Sequence, residues 1–291
     1  MRVERVYDWK KGAGLVEVDP VPLDLSIKPG GATRIAHLSD THLGKGDRQE
    51  RRQQLKDWLQ LFSGLDVEVV VHSGDLVEDC DDDEEVQWAL DLLDAADIPV
   101  LGVPGNHDVT QPGEQNRLTR QWGPFPRAEK VGALQFWLVD SMRCPPAEDR
   151  SPREKESARI SGFYSRGALG DEQLAELKAK MTHLSGVQIL VIHHHLRQPV
   201  PAKPFYEENS ELMAPLEDAD QLLQIARQAG VRLVLHGHRH QYVIPYMPFE
   251  DLVILNGGSS TRDGWPKRAR VIDMGQKGEA LRIWELARFS R

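Results

Sequence analysis

Five apolar runs in this chain each end in side chains that hold metal ions or carry protons. They read Ile35-Ala36-His37-Leu38-Ser39-Asp40-Thr41-His42, Val69-Val70-Val71-His72-Ser73-Gly74-Asp75 and Val103-Pro104-Gly105-Asn106-His107-Asp108. Later come Ile189-Leu190-Val191-Ile192-His193-His194-His195 and Leu233-Val234-Leu235-His236-Gly237-His238-Arg239-His240. Carboxylate, amide and imidazole donors with no thiolate suit a pair of divalent cations. Asp40 and His42 stand two residues apart, as do His238 and His240, so at a strand end each pair can serve one ion or divide between two. The donors close into two sets around one shared carboxylate. Asp40, His42, Asp75 and His240 would hold one ion; Asp75, Asn106, His238 and one histidine of the 193–195 run would hold the other. Two dications about 4 Å apart would retain a bridging hydroxide and phosphoryl oxygens for in-line attack at phosphorus. His107 is left over from the ligand count and is placed to protonate the leaving oxygen.

Bringing these groups to one point needs five strands whose C-terminal ends share an edge. Helical spacing appears between them: Leu55, Trp58, Leu59 and Phe62 within 49–63, and Val86, Leu90 and Leu93 within 84–96. It returns with Leu174, Leu177 and Met181 within 171–183, and again over 218–228, where Gly230 marks a stop. This alternation predicts βαβ units and a largely parallel sheet. The runs Ala133–Asp140, Leu252–Asn256, Ala269–Asp273 and Leu281–Trp284 have little helix between them, which predicts antiparallel strands and a second stacked sheet. Residues 1–32, with several prolines and Gly30-Gly31, read as an irregular or short-stranded extension packing on a domain that runs over 33–291. The polar, proline-rich stretch 145–160 reads as a surface insertion, either a solvated loop or a lid over the substrate. The acidic run Asp79 and Asp81 to Glu85 favours the N-terminus of the next helix.

A net charge of −9 over 291 residues argues against duplex nucleic acid bound by phosphate neutralisation. Two cysteines, Cys80 and Cys144, are too few for a disulfide framework or a thiolate metal site and read as free thiols. The N-terminus has no apolar core of a signal peptide, and no stretch is long enough to span a membrane, so a cytoplasmic protein is expected.

Taken together, the motifs resemble the calcineurin-like metallophosphoesterase superfamily, whose pattern is Asp-x-His, Gly-Asp, Gly-Asn-His-Asp/Glu, a His-His-Pro-type element and Gly-His-x-His. The resemblance runs from about Arg34 to the C-terminus. It implies a four-layer αββα sandwich, two mixed β-sheets flanked by helices, and the ligand sets above with His107 catalytic. Within the superfamily the chain is most similar to the class III cyclic nucleotide phosphodiesterase branch. Phe136-Trp137-Leu138-Val139-Asp140-Ser141 resembles its Leu-Asp-Ser element, and Gly167 to Leu177 its Gly-x-Leu-x-x-x-Gln-x-x-x-Leu segment. Where that branch has proline two residues after its ligand histidine, this chain has Leu196; aligning on the triplet assigns His194 as ligand, with His193 and His195 as alternatives. Val109-Thr110-Gln111-Pro112 follow Gly105-Asn106-His107-Asp108 where the branch often has an arginine nearby. Glu78 stands where phosphoprotein phosphatases of this superfamily carry an aspartate paired with the catalytic histidine.

The expectation is therefore a dinuclear enzyme that hydrolyses phosphodiester bonds of small nucleotide-like substrates, 3′,5′-cyclic nucleotides among them. Mn or Fe would be its metals, with Zn also accommodated. A homodimer is compatible with the sequence. A phosphomonoesterase or protein phosphatase, a nuclease and a non-catalytic metal-binding scaffold are the competing readings. His37 and His72 are expected as packing groups behind the site, and His183 and His236 as structural. Lys45, Arg48 and Arg239 lie beside ligands, either facing solvent or touching a phosphate.

Overall fold

A computed structural model describes residues 2–19, 24–143, 166–181, 186–196, 215–240, 245–261, 267–278 and 280–288. The 145–160 insertion, Cys144 and His183 fall outside these residues. Thirteen strands and five helices are described. They run β1 Arg2–Lys10, β2 Gly14–Val18, β3 Ala32–Leu38, α1 Arg48–Ser63, β4 Val69–His72, α2 Asp83–Asp94, β5 Val100–Gly102 and α3 Arg117–Trp122. Then follow β6 Arg127–Val131, β7 Leu134–Leu138, α4 Gly170–Met181, β8 Val187–Val191, α5 Ala219–Gln228 and β9 Val231–His236. The last four are β10 Tyr246–Phe249, β11 Leu252–Asn256, β12 Lys267–Gly275 and β13 Leu281–Arg288.

The strands form two mixed sheets, β2-β1-β13-β12-β3-β4-β5 and β10-β11-β9-β8-β7-β6. Alternation along each strand builds the layers. In β4, Val69 and Val71 face the space between the sheets, where they meet Phe136, Ile189 and Leu235. Val70 faces the other way, onto Leu55, Trp58, Phe62, Val86 and Leu90 of α1 and α2. The outer face of the second sheet does the same with Trp137, Leu190 and Val234 beneath α4 and α5. The result is the expected four-layer sandwich. The helices start on local caps: Asp47 Oδ1 accepts from Glu50 N at 3.0 Å ahead of α1, and Asp82 Oδ1 from Glu85 N at 3.2 Å ahead of α2. The short helix α3 has no counterpart in the spacing analysis.

Two expectations about the later strands need correction. β7 and β11 are antiparallel on one side only: β7 pairs antiparallel with β6 but parallel with β8, and β11 antiparallel with β10 but parallel with β9. Parallel neighbours need a crossover of about a dozen residues or more. The stretch from β7 to β8, carrying α4, and the stretch from β9 to β11 both provide that length. β12 and β13 are antiparallel, yet they belong to the first sheet, with β12 seated against β3. The N-terminal residues are likewise more regular than expected. β1 and β2 form a hairpin that extends this sheet through β13, and Trp9 and Leu15 cover the end of the inter-sheet core beside Met247.

One buried ion pair ties these additions to the centre. Arg34 on β3 donates from Nε and Nη2 to Asp273 on β12 at 2.6 and 3.0 Å, and from Nη1 to Leu25 O and Leu65 O at 2.8 and 2.9 Å. Asp273 also accepts from Trp284 Nε1 at 3.0 Å. Removing one member of such a pair leaves a buried charge unmatched, at a cost of about 3–5 kcal/mol. Arg34→Met should lower the unfolding free energy by that order in urea titrations. A loss below about 1 kcal/mol, the scale of an exposed pair, would show that Asp273 is adequately satisfied without it.

Candidate metal centre

The C-terminal ends of β3, β4, β5, β8 and β9 open on one edge of the sandwich. Past the last residues of β3 and β4 the ladder continues: Asp40 N donates to Gly74 O, His42 N to Asp75 O and Leu43 N to Leu76 O, each at 3.0 Å. This fixes the first two motifs relative to each other. Four of the site residues adopt left-handed backbone, Asp40 at φ 50°, His42 at φ 45°, Asp75 at φ 54° and His238 at φ 65°. Each such residue costs on the order of 1–3 kcal/mol and persists only where its surroundings over-determine it. Two glycines permit the crowding. A Cβ on Gly105 would stand 2.2 Å from Asp75 Oδ1, and one on Gly237 would stand 1.9 Å from Ser39 Oγ and 2.7 Å from Asp40 Oδ2.

Three donor clusters result among the described residues: Asp40-His42-Asp75-His240 and Asp75-His193-His238 have Asp75 in common, and His42-Glu78-His107 lies beside the first. Asp75 Oδ2 lies 3.6 Å from His42 Nε2 and 3.4 Å from His193 Nε2. Asn106 Oδ1 joins the second cluster, 3.1 Å from His193 Nε2 and 3.0 Å from His238 Nδ1. In the first cluster His42 Nε2 and His240 Nε2 converge to 2.9 Å, and His240 Nε2 sits 3.4 Å from Asp40 Oδ1. Both oxygens of Asp40 are buried without accepting a hydrogen bond. A carboxylate in that state is costly unless a cation compensates it. The donor set therefore fits divalent ions.

Electrostatics point the same way. Burial opposes ionisation of Asp40, but His240 and His193 outweigh it and hold the carboxyl at about 2. Burial pushes His42 down to about 4 and His238 to about 3, so both offer neutral rings at pH 7. His193 is different. Burial lowers it, yet the charges of Asp75 and Asp40 carry it up to about 9, so a proton must leave before it can ligate.

The triplet is where the sequence expectation fails. His193, not His194, enters the cluster: its Nδ1 lies 2.8 Å from Ser73 O, which turns Nε2 toward Asp75 and Asn106. His194 Nδ1 instead meets Ser141 Oγ at 2.8 Å. The residue two after the inward-turned histidine is therefore His195 and not Leu196. Ser141 is itself held in place, because Gln173 brackets the preceding peptide, accepting from Asp140 N at 3.1 Å and donating to Asp140 O at 2.8 Å. The Leu-Asp-Ser and Gly-to-Leu segments thus act together to orient the triplet.

Other expected residues fall into place around the clusters. His107 donates from its backbone N to Asp75 Oδ1 at 2.9 Å. Its Nδ1 lies 3.0 Å from Glu78 O, a carbonyl that can only accept, so that nitrogen carries the proton. The carboxylate of Glu78 reaches His42 more closely than His107: Oε2 lies 2.7 Å from His42 Nδ1 and 3.7 Å from His107 Nδ1, while Oε1 meets Lys45 Nζ at 2.6 Å. Asp108 staples the two loops, accepting from Gly105 N, Leu76 N and Val77 N at 2.9, 3.2 and 3.1 Å. His37 and His72 are buried against Ser73 and Thr41 hydroxyls, as packing groups. Arg48 pairs with Asp82 and Glu85, and Arg239 is buried rather than facing solvent.

A sixth segment escaped notice. Ser259 Oγ donates to Asp40 O at 2.9 Å, Thr261 Oγ1 donates to Thr41 O, and Arg51 Nη1 reaches Thr41 O at 3.1 Å. The apolar run Leu252-Val253-Ile254-Leu255 before Asn256-Gly257-Gly258-Ser259-Ser260-Thr261 carries the same signature as the other five. It shares the apolar run but not the histidine and carboxylate donors, and its Asn256 is bonded to backbone.

Comparison with known proteins agrees with this geometry. A probable cyclic nucleotide phosphodiesterase of Moraxella catarrhalis is 26% identical over 245 residues, covering 80% of each chain. The DNA double-strand break repair protein Mre11 of Haloferax volcanii is 36% identical over 125 residues, 37% of this chain; the chain spans 28% of that relative's length. A dimetal phosphatase from Danio rerio superposes with a TM-score of 0.57 at 14% identity, over 87% of this chain and 98% of its own, which shows the shared fold. No described helix is long and apolar enough to cross a membrane. The sequence profile of the calcineurin-like phosphoesterases matches residues 33–242, and the chain belongs to that family.

Proposed function

We propose that this enzyme hydrolyses phosphodiester bonds in small nucleotide-like substrates, with cyclic nucleotides as the leading class, through a two-metal centre. The observation that carries the reading is the pair of donor clusters sharing Asp75. Asp40, His42, Asp75 and His240 would hold one ion; Asp75, Asn106, His193 and His238 would hold the other, with Mn or Fe as the metals. Bound dications supply Lewis-acid charge at phosphoryl oxygens and a nucleophilic water at neutral pH.

The protein's own contribution is to orient and to manage protons. With Nδ1 of His107 donating to Glu78 O, Nε2 is the atom assigned to the leaving oxygen, and it delivers a proton there from the imidazolium form, in which both ring nitrogens are protonated. Because His107 N is anchored on Asp75, proton donor and shared carboxylate keep a fixed relation. Charge favours a diester. Two dications against Asp40 and Asp75 leave two positive charges, reduced to one by a hydroxide nucleophile, which matches a monoanionic phosphodiester. A monoester dianion would call for added cations, and Lys45 and Arg48 are already committed to carboxylates. The name of the Moraxella relative supports the cyclic nucleotide class. The repair-nuclease relative covers a smaller part of the chain, and the net charge of −9 disfavours a long nucleic acid.

Chelated protein should lose activity on bis-p-nitrophenyl phosphate and regain it with Mn or Fe, and the bis ester should be cleaved faster than p-nitrophenyl phosphate. Undiminished hydrolysis in excess chelator would refute the mechanism, and preference for the monoester would refute the substrate class. His193→Ala should bind fewer metal ions than the parent, while His194→Ala keeps both; equal loss from the two variants would place His194 in the centre after all. The close approach of Gly237 gives a geometric test, since Gly237→Ala must displace Ser39 or Asp40 and should lower bound metal without unfolding the chain. A proton leaves His193 on ligation, so apparent Mn affinity should rise with pH toward about 9, by about tenfold per unit for one released proton. A flat profile between pH 6 and 8 would mean that this ring is already neutral.

A further inference from the structure

The segment Asp40-Thr41-His42 carries two metal donors on two left-handed residues, and that conformation turns its carbonyls out of the strand ladder. Buried carbonyls need donors. For Asp40 and Thr41 they come from elements further along the chain. Asp40 O receives Ser259 Oγ at 2.9 Å, Thr41 O receives Thr261 Oγ1 and Arg51 Nη1, and His42 O receives Lys45 N at 3.2 Å, with Arg51 Nη1 at 3.5 Å. Arg51 Nη1 also donates to Thr261 Oγ1 at 3.1 Å, so the two donors brace one another. Both are fixed from behind. Arg51 is buried on α1, and Trp58, two turns further along the same helix, donates from Nε1 to Ser260 O at 2.9 Å. Ser260 N and Ser39 O close the frame at 3.1 Å.

We infer that Arg51 and Thr261 are positioning residues for the first metal position: they hold the Asp40-Thr41-His42 backbone in the shape that aims Asp40 and His42 at a shared ion. This inference rests on the assignment of Asp40, His42, Asp75 and His240 as ligands. Its physical content is distinctive because Arg51 is a cation. If its influence were electrostatic, it would repel a dication, and removing its charge would tighten metal binding. If its role is to hold the carbonyls, removing it loosens metal binding.

The test is Mn²⁺ binding by calorimetry to metal-stripped full-length protein, alongside thermal unfolding of the same metal-free samples. The parent should bind two ions. Arg51→Met and Thr261→Val should each weaken the first-cluster ion, on the order of tenfold or more, as loss of outer support for a ligand generally does. Arg51→Lys, which keeps the charge but replaces the guanidinium fork by a single nitrogen, should recover part of the loss. At saturating Mn²⁺, kcat should return toward the parent value, because no group that touches substrate has been changed. Two ions bound as tightly as in the parent, or more tightly in Arg51→Met, overturn the inference. Should Arg51→Met fail to fold, Thr261→Val decides alone, since it removes one hydroxyl donor at constant shape and charge. A parent that binds no metal would instead refute the ligand assignment beneath the inference.

Discussion

Much of this structure follows from the demand made by one buried carboxylate. Asp75 must present an oxygen to two clusters at once while lying almost fully out of water. A naked carboxylate there is unstable, and a pair of flanking cations is the natural compensation. The neighbours serve that arrangement. His107 N fixes one oxygen, Gly105 vacates the space a side chain would occupy, and Asp108 fastens the loop of Asp75 to the loop of Asn106. Burial and the nearby charge of Asp75 push Asp108 up to about 6, so the staple itself bears a cost that three backbone donors offset.

The sandwich supplies what a single loop could not. Parallel strands of both sheets end at the same edge, so donors separated by as much as 200 residues, Asp40 and His240, approach within bonding reach of a common ion. Each donor follows a largely buried strand, where neighbouring layers fix its root. The helices contribute as well: α1 reaches the first cluster through Arg51, and α4 reaches the triplet through Gln173. Rigidity of this kind suits a centre whose ligands must keep their relation through turnover.

The donor inventory, the four-layer order and the helix positions were legible because each rests on local pattern: an apolar run, a helical repeat or a donor two residues from another. What was lost depended on rotation or on partnership across the sheets. His193 and His194 are identical in type and adjacent; only Ser73 O and Ser141 Oγ, contributed by other strand ends, decide which ring turns inward. Glu78 was legible as a position but not as a contact, because its carboxylate leans to His42 and Lys45. The parallel pairing of β7 with β8 and of β11 with β9 is equally invisible in periodicity, which reports burial and not strand direction.

The central claim is that two ions share Asp75, with His193 on the second. Anomalous diffraction from crystals loaded with Mn²⁺ tests it directly. The account predicts two peaks flanking the Asp75 carboxylate, one within coordination distance of Asp40, His42 and His240, the other of Asn106, His193 and His238, with His194 still on Ser141. A single peak, or a second ion ligated by His194 and not His193, would contradict it.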